Sequence, residues 1–206
     1  MELTSGQVDA LTELINIGYG RAAGSLSELT GYRIALEVPQ VAIHEIEALA
    51  PLLERVLRAD CAAVSQAFDG PISGRALLML DERAAAALSR LLIEDGVPGT
   101  RLDATAREVV TEVGNILLNA CLGVFGNLLN VHVSFAVPQF HLESVTGVLK
   151  SVATEAAEQL RYALMIHTRF SIRTGDVNGY LVIILGVASL DTLLVELSKW
   201  EHQQAQ

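Results

Sequence analysis

Between Thr4 and Gly31 the apolar residues fall with the spacing of a helix. At 100° per residue Leu11, Ile15, Ala22, Leu26 and Leu29 gather on one side, while Asp9, Glu13, Asn16 and Gly20 lie within about 40° of the opposite line. The pattern predicts an amphipathic helix over 5–30, with Thr4 or Ser5 as its N-cap and Gly31 as its stop. The period then changes. Arg33 to Val38 reads as a strand, interrupted at Pro39, which has no N–H for a ladder, and an extended piece continues toward Ile43. A short helix is expected around Pro51 to Leu57. "CAAVSQAF" and "SGRALLML" follow as two strands flanking the turn "DGPI", and "DERAAAALSRLLIE" as a helix with Asp81 at its cap.

The same order is then written again at an offset of 99 residues: Asp9, Glu13, Asn16, Gly20 and Pro39 align with Glu108, Glu112, Asn115, Asn119 and Pro138, and the tripeptide "VPQ" recurs. The second copy predicts a long helix over 103–129, with Glu108, Glu112, Asn115 and Asn119 on its polar side and Val110, Leu117, Cys121 and Leu128 on its apolar side. Strands are expected near 131–137 and 139–143 and a helix from about 145 to 158. "YALMIHTRFSIR" and "GYLVIILGV" follow as strands around the turn "TGDVNG", and a closing helix from about 189 to 200. Hairpins without long crossovers point to a fold of the α/β class, α+β type, with a pseudo-twofold repeat and a largely antiparallel sheet covered by helices. The expected organisation is a single domain built of two repeats, about 1–98 and 103–200, with a linker at about 95–103.

Composition fits a packed interior, since 206 residues at 51% hydrophobic and 18% charged are enough for a substantial core. Runs such as "YLVIILGVA" are too short to span a bilayer, so no membrane span is expected, and the N-terminal residues carry no export signal, so a cytoplasmic protein is expected. Cys61 and Cys121 lack metal or redox spacing and read as small buried hydrophobes. Twenty-four acidic against fourteen basic residues leave a net charge of −10, with the basic residues scattered. That excludes a phosphate-tracking stripe, and with it nucleic acid, and favours a basic site on a protein partner.

The candidate chemistry lies on the polar faces of the two long helices. An isolated Glu and Asn on an outer face are most simply solvated, yet Asn is an indifferent helix former and both copies retain it. Gly18, Gly20 and Gly24 each cost about 1 kcal/mol relative to Ala inside a helix, a cost that close helix packing or close approach of a partner would justify. A carboxamide can both accept from and donate to a water, and a neighbouring carboxylate can pair with a cation or act as a base; together they suit hydrolysis of an already activated bond. The five histidines have no metal-ligand spacing, no serine stands in a nucleophile elbow, and "INIGYG" lacks the strand and glycine spacing of a dinucleotide site.

The segments "DALTELINIGYGRAAGSL" and "EVVTEVGNILLNACLGVF", each followed by its Pro, resemble the signature of the CheC, CheX and FliY family of chemotaxis phosphatases: Asp or Ser, three residues, Glu, two residues, Asn, twenty-two residues, Pro. The first copy matches at Asp9, Glu13, Asn16 and Pro39; the second matches at Glu112, Asn115 and Pro138, with Glu108 where the pattern has Asp or Ser. Two such helices in one chain are the CheC layout, and the likeness covers nearly the whole sequence. The resemblance implies a phosphatase acting on the aspartyl phosphate of a CheY-type response regulator. Asn16 and Asn115 would orient water, Glu13 and Glu112 would pair with the receiver's active-site lysine, and Asp9 and Glu108 would contact the partner surface. It implies no cofactor of the chain's own, a magnesium ion carried by the receiver, and permits a CheD-like deamidase as a further partner. The alternative is a receiver-binding adaptor or phosphate sink that docks through the same face without catalysis. The Asn in both copies favours the enzyme.

Overall fold

A computed structural model describes residues 3–57, 60–92, 102–128, 130–154, 160–172 and 175–204. Helix α1 (Ser5–Thr30) opens with a capping box, in which the Gln7 N–H donates to the Thr4 hydroxyl at 3.2 Å and the Thr4 N–H to the Gln7 side chain at 3.0 Å. It stops at Gly31, whose φ of 71° is left-handed and whose N–H returns to Ser27 O. Strand β1 (Ile34–Glu45), helix α2 (Ile46–Glu54), the hairpin β2 (Asp60–Asp69) and β3 (Gly74–Asp81), and helix α3 (Glu82–Leu92) complete the first half. The second half runs α4 (Ala104–Leu128), β4 (Ser134–Phe135), β5 (Gln139–Ser144), α5 (Val145–Thr154), β6 (Leu160–Ile172), β7 (Gly175–Gly186) and α6 (Val187–Gln204). Carboxylates start two of the helices: Asp81 Oδ1 accepts from Ala84 N at 2.7 Å, and Asp103 Oδ1 from Ala106 N at 2.8 Å.

The seven strands of the described residues lie in one antiparallel sheet. β3 and β7 pair at its centre, each hairpin continues outward to β2 or β6, and the outermost strands are exchanged: β1 lies against β6, while β5 and the short β4 lie against β2. Each half therefore completes the other half's sheet, and the two do not form separate lobes. Successive residues point to opposite faces and both faces are covered, so the central strands are continuous apolar runs. Ala62, Val64, Leu78 and Leu80 enter the larger core, which α1, α3, α4 and α6 cover. Cys61, Ala63, Leu77 and Met79 enter a smaller core beneath α2 and α5.

Several boundaries differ from those the sequence predicts. α2 begins at Ile46 and holds Pro51 inside it, because burying Leu49 and Leu53 in the smaller core outweighs the hydrogen bond that Pro51 cannot donate. The strand expected at 131–137 is reduced to two residues, with Ala136 N donating to Ala67 O at 3.0 Å beyond it. The stretch read as the turn "TGDVNG" is mostly strand, with Asp176, Val177 and Asn178 paired to Ser171, Phe170 and Arg169. Gly179 serves packing there: a Cβ would stand 2.5 Å from Leu80 Cδ2. α6 starts at Val187, earlier than the sequence suggests. Most of the expected linker at 95–103, and 155–158 of the expected helix, lie outside the described residues. α4 is long and apolar enough to cross a membrane by length and composition, but half of it is buried inside the protein, and Glu108 and Glu112 stand exposed along it.

Candidate functional site

The two long helices pack side by side on the same face of the sheet and run antiparallel. Gly18 of α1 lies beside Cys121 of α4, where an added Cβ would come within 2.9 Å of the Cys121 Cα, while Leu26, Leu29 and Thr30 stand near Val109, Glu112 and Val113. Gly18 is thus the glycine that close helix packing requires. Gly20 and Gly24 have open space above them.

Two buried side chains hold this pair in place. Tyr19 is 1% exposed and shares a hydrogen bond with Thr168 of β6, which fixes the rotation of α1 on the sheet. Burial raises its phenol well above the ordinary range, and the nearby Cys121 thiol adds to the effect. Burial likewise pushes the Cys121 thiol up, and it raises Cys61, beneath α2 and α5, to about 11, so both cysteines are free, neutral and inert.

With the buried faces fixed, the polar faces point outward. Asp9, Glu13, Asn16 and Gly20 are exposed on α1, and Leu11, Ile15, Ala22 and Leu26 are buried opposite them. On α4, Glu108 and Glu112 are exposed and Asn115 and Asn119 are half-buried, above buried Val110, Leu117 and Cys121. The members of each Glu–Asn pair stand three positions apart, so they share one helix face about a turn apart. The structure gathers Glu13 with Asn16 and Glu112 with Asn115, on neighbouring helices.

The surroundings of the two pairs differ. Asn119 Nδ2 donates to Asn115 Oδ1 at 2.7 Å. Glu112 borders a cleft of about 350 Å³ lined also by Leu26, Leu29, Thr30, Leu92, Val109 and Val113. Leu29, expected on the buried face, is instead 64% exposed at this cleft, in the last turn of α1. The cleft joins residues from three helices and has no local signature in the sequence. Among the described residues no three His, Cys, Asp or Glu side chains converge as a metal site. His141 instead meets Ser65 Oγ at 2.8 Å on the outer strands, and His167 stacks on Tyr180.

No family model matches the chain. Over 165 residues, 79% of this chain and 78% of the relative, it is 22% identical to the CheY-P phosphatase CheC of Bacillus subtilis (strain 168). Its structure matches Thermotoga maritima FliY with a TM-score of 0.77, over 99% of this chain and 100% of that one, at 19% identity. The fold is that of the CheC, CheX and FliY group. The same CheC-type fold extends to the FliM middle domain from H. pylori, with a TM-score of 0.64 over 94% of this chain and 99% of that one, at 11% identity. Two long helices against one antiparallel sheet with exchanged outer strands are the frame on which this chain displays its Glu–Asn faces.

Proposed function

We propose that the protein hydrolyses the aspartyl phosphate of a CheY-type response regulator, using the Glu–Asn pairs of α1 and α4. The observation that carries this reading is the outward display of the same pair on both helices, Glu13 with Asn16 and Glu112 with Asn115. The likeness to a relative named CheY-P phosphatase supports it.

In this reading one helix lies across the receiver's active site. Asn16 or Asn115 accepts from and donates to a water, holding its oxygen in line with the phosphorus. The water oxygen bonds to phosphorus as the bond to the aspartyl oxygen breaks, releasing inorganic phosphate and the free carboxylate. Glu13 or Glu112 pairs with the receiver's lysine and so fixes the docking register. Asp9 and Glu108, one turn earlier, meet the partner at the edge of the contact. Magnesium belongs to the receiver and neutralises the phosphoryl oxygens, leaving this chain to supply positioning rather than covalent chemistry. The negative net charge suits approach to a basic surface, and a cytoplasmic location goes with such a substrate.

The fold shared with the FliM middle domain favours a second reading, a docking module that binds receivers without hydrolysis. Turnover separates the two. A catalyst present at one-twentieth of the receiver concentration should clear the whole phosphorylated pool. Stoichiometric binding with no faster phosphate loss would establish the docking module instead.

A further inference from the structure

Asn16 and Asn115 hold equivalent positions in the two copies but do not have equivalent neighbours. One turn further along the same face the first copy has Gly20, with no side chain, and the second has Asn119. Asn119 Nδ2 donates to Asn115 Oδ1 at 2.7 Å. Little about the helix itself explains Asn119. Asn is a poor helix former, an amide pair four residues apart adds only weakly to helix stability, and Asn119 Oδ1 is buried with no partner among the described residues. An unmatched buried acceptor is a cost that stability alone would remove, so the residue reads as kept for the bond it makes.

We propose that Asn119 is a positioning residue that holds the Asn115 carboxamide in its water-binding orientation, making the second site the faster of the two. This rests on the phosphatase reading. The bond uses one lone pair of Asn115 Oδ1 and leaves the other to accept from water, while the donated hydrogen polarises the amide so that its own N–H donates more strongly. Asn16 is exposed, and with Gly20 beside it, its side chain must be ordered anew for each water it holds. Freezing one such side chain corresponds to about a 3- to 10-fold difference in rate.

The test reads kcat and KM for receiver dephosphorylation with one site silenced at a time. In an Asn16→Ala background, Asn119→Ala should lower kcat about 3- to 10-fold and leave KM unchanged, as expected of a residue that acts through Asn115 rather than on the receiver. In an Asn115→Ala background the reverse graft, Gly20→Asn, should raise kcat; a Cβ at Gly20 meets nothing within 4 Å, so the graft has room. An unchanged kcat on removal of Asn119, or an equal loss when Asn119→Ala is placed in the Asn115→Ala background, would overturn the proposal. Side-chain amide NMR is read alongside. Asn119→Ala should shift the Asn115 amide signals and leave those of Asn16 in place, and unmoved Asn115 signals would overturn the clasp. If the wild type accelerates no receiver, the phosphatase reading fails on its own account, while the amide spectrum still decides whether the clasp exists.

Discussion

Cys121 and Tyr19 lie at the seam between α1, α4 and the sheet, and both are held neutral by burial. Folding raises their pKa values above those of the unfolded chain, where thiols titrate near 8.5 and phenols near 10. Their contribution to stability is therefore fully present below about pH 8.5 and is lost as pH climbs toward the folded values, since only the unfolded chain gives up its protons. Cys61, raised to about 11, adds to the same trend until its folded form also ionises. Denaturant unfolding should show stability falling steadily between pH 8 and 10.5. Cys121→Ala should lower stability at pH 8 yet flatten the slope. A level profile over that range would show that these groups are not held as described.

At the scale of elements, the glycines of α1 separate by what surrounds them. Gly18 faces the Cys121 backbone, so Gly18→Ala must push the two long helices apart and should destabilise by about 1–3 kcal/mol. Gly24 faces open space, and Gly24→Ala should stabilise by about 0.5–1 kcal/mol through helix propensity. Thermal or denaturant unfolding of the two variants checks the contrast, and equal effects would contradict the packing described. This contrast also shows how far local sequence reaches. Residues 5–30, with Thr4 and Gly31 at their ends, were legible because caps and a 3.6-residue period are local, and the exposed Glu–Asn face of α1 follows from the same period. Leu29 kept the period but not the burial, because cover depends on what lies across from a helix end. The local pattern places Gly179 in a turn and Pro51 at a helix start, whereas distant packing partners, Leu80 for one and the smaller core for the other, decide their places.

For the whole molecule, what was least legible is the exchange of outer strands. β1 pairs with β6 and β5 with β2 across more than 70 residues of sequence, and nothing in a strand's own pattern names its partner. The exchange has a consequence for dissection. Expressed alone, 1–98 would leave β2 without its outer neighbour and β1 without any partner, so it should be unfolded or self-associated, and mixing it with 103–206 should restore a monomeric complex of native helicity. Sizing chromatography with circular dichroism checks this; a stable, folded, monomeric 1–98 would contradict the sheet order.

The central claim is that two Asn residues on neighbouring helices position water for hydrolysis of a receiver's aspartyl phosphate. It is tested most directly by the rate of phosphate loss from candidate receivers with wild type, Asn16→Ala, Asn115→Ala and the double variant, alongside binding by each. The account predicts that each single variant keeps part of the acceleration, with Asn115→Ala losing more, and that the double variant still binds while phosphate loss falls to the receiver's own rate. A double variant that accelerates as well as wild type would contradict it.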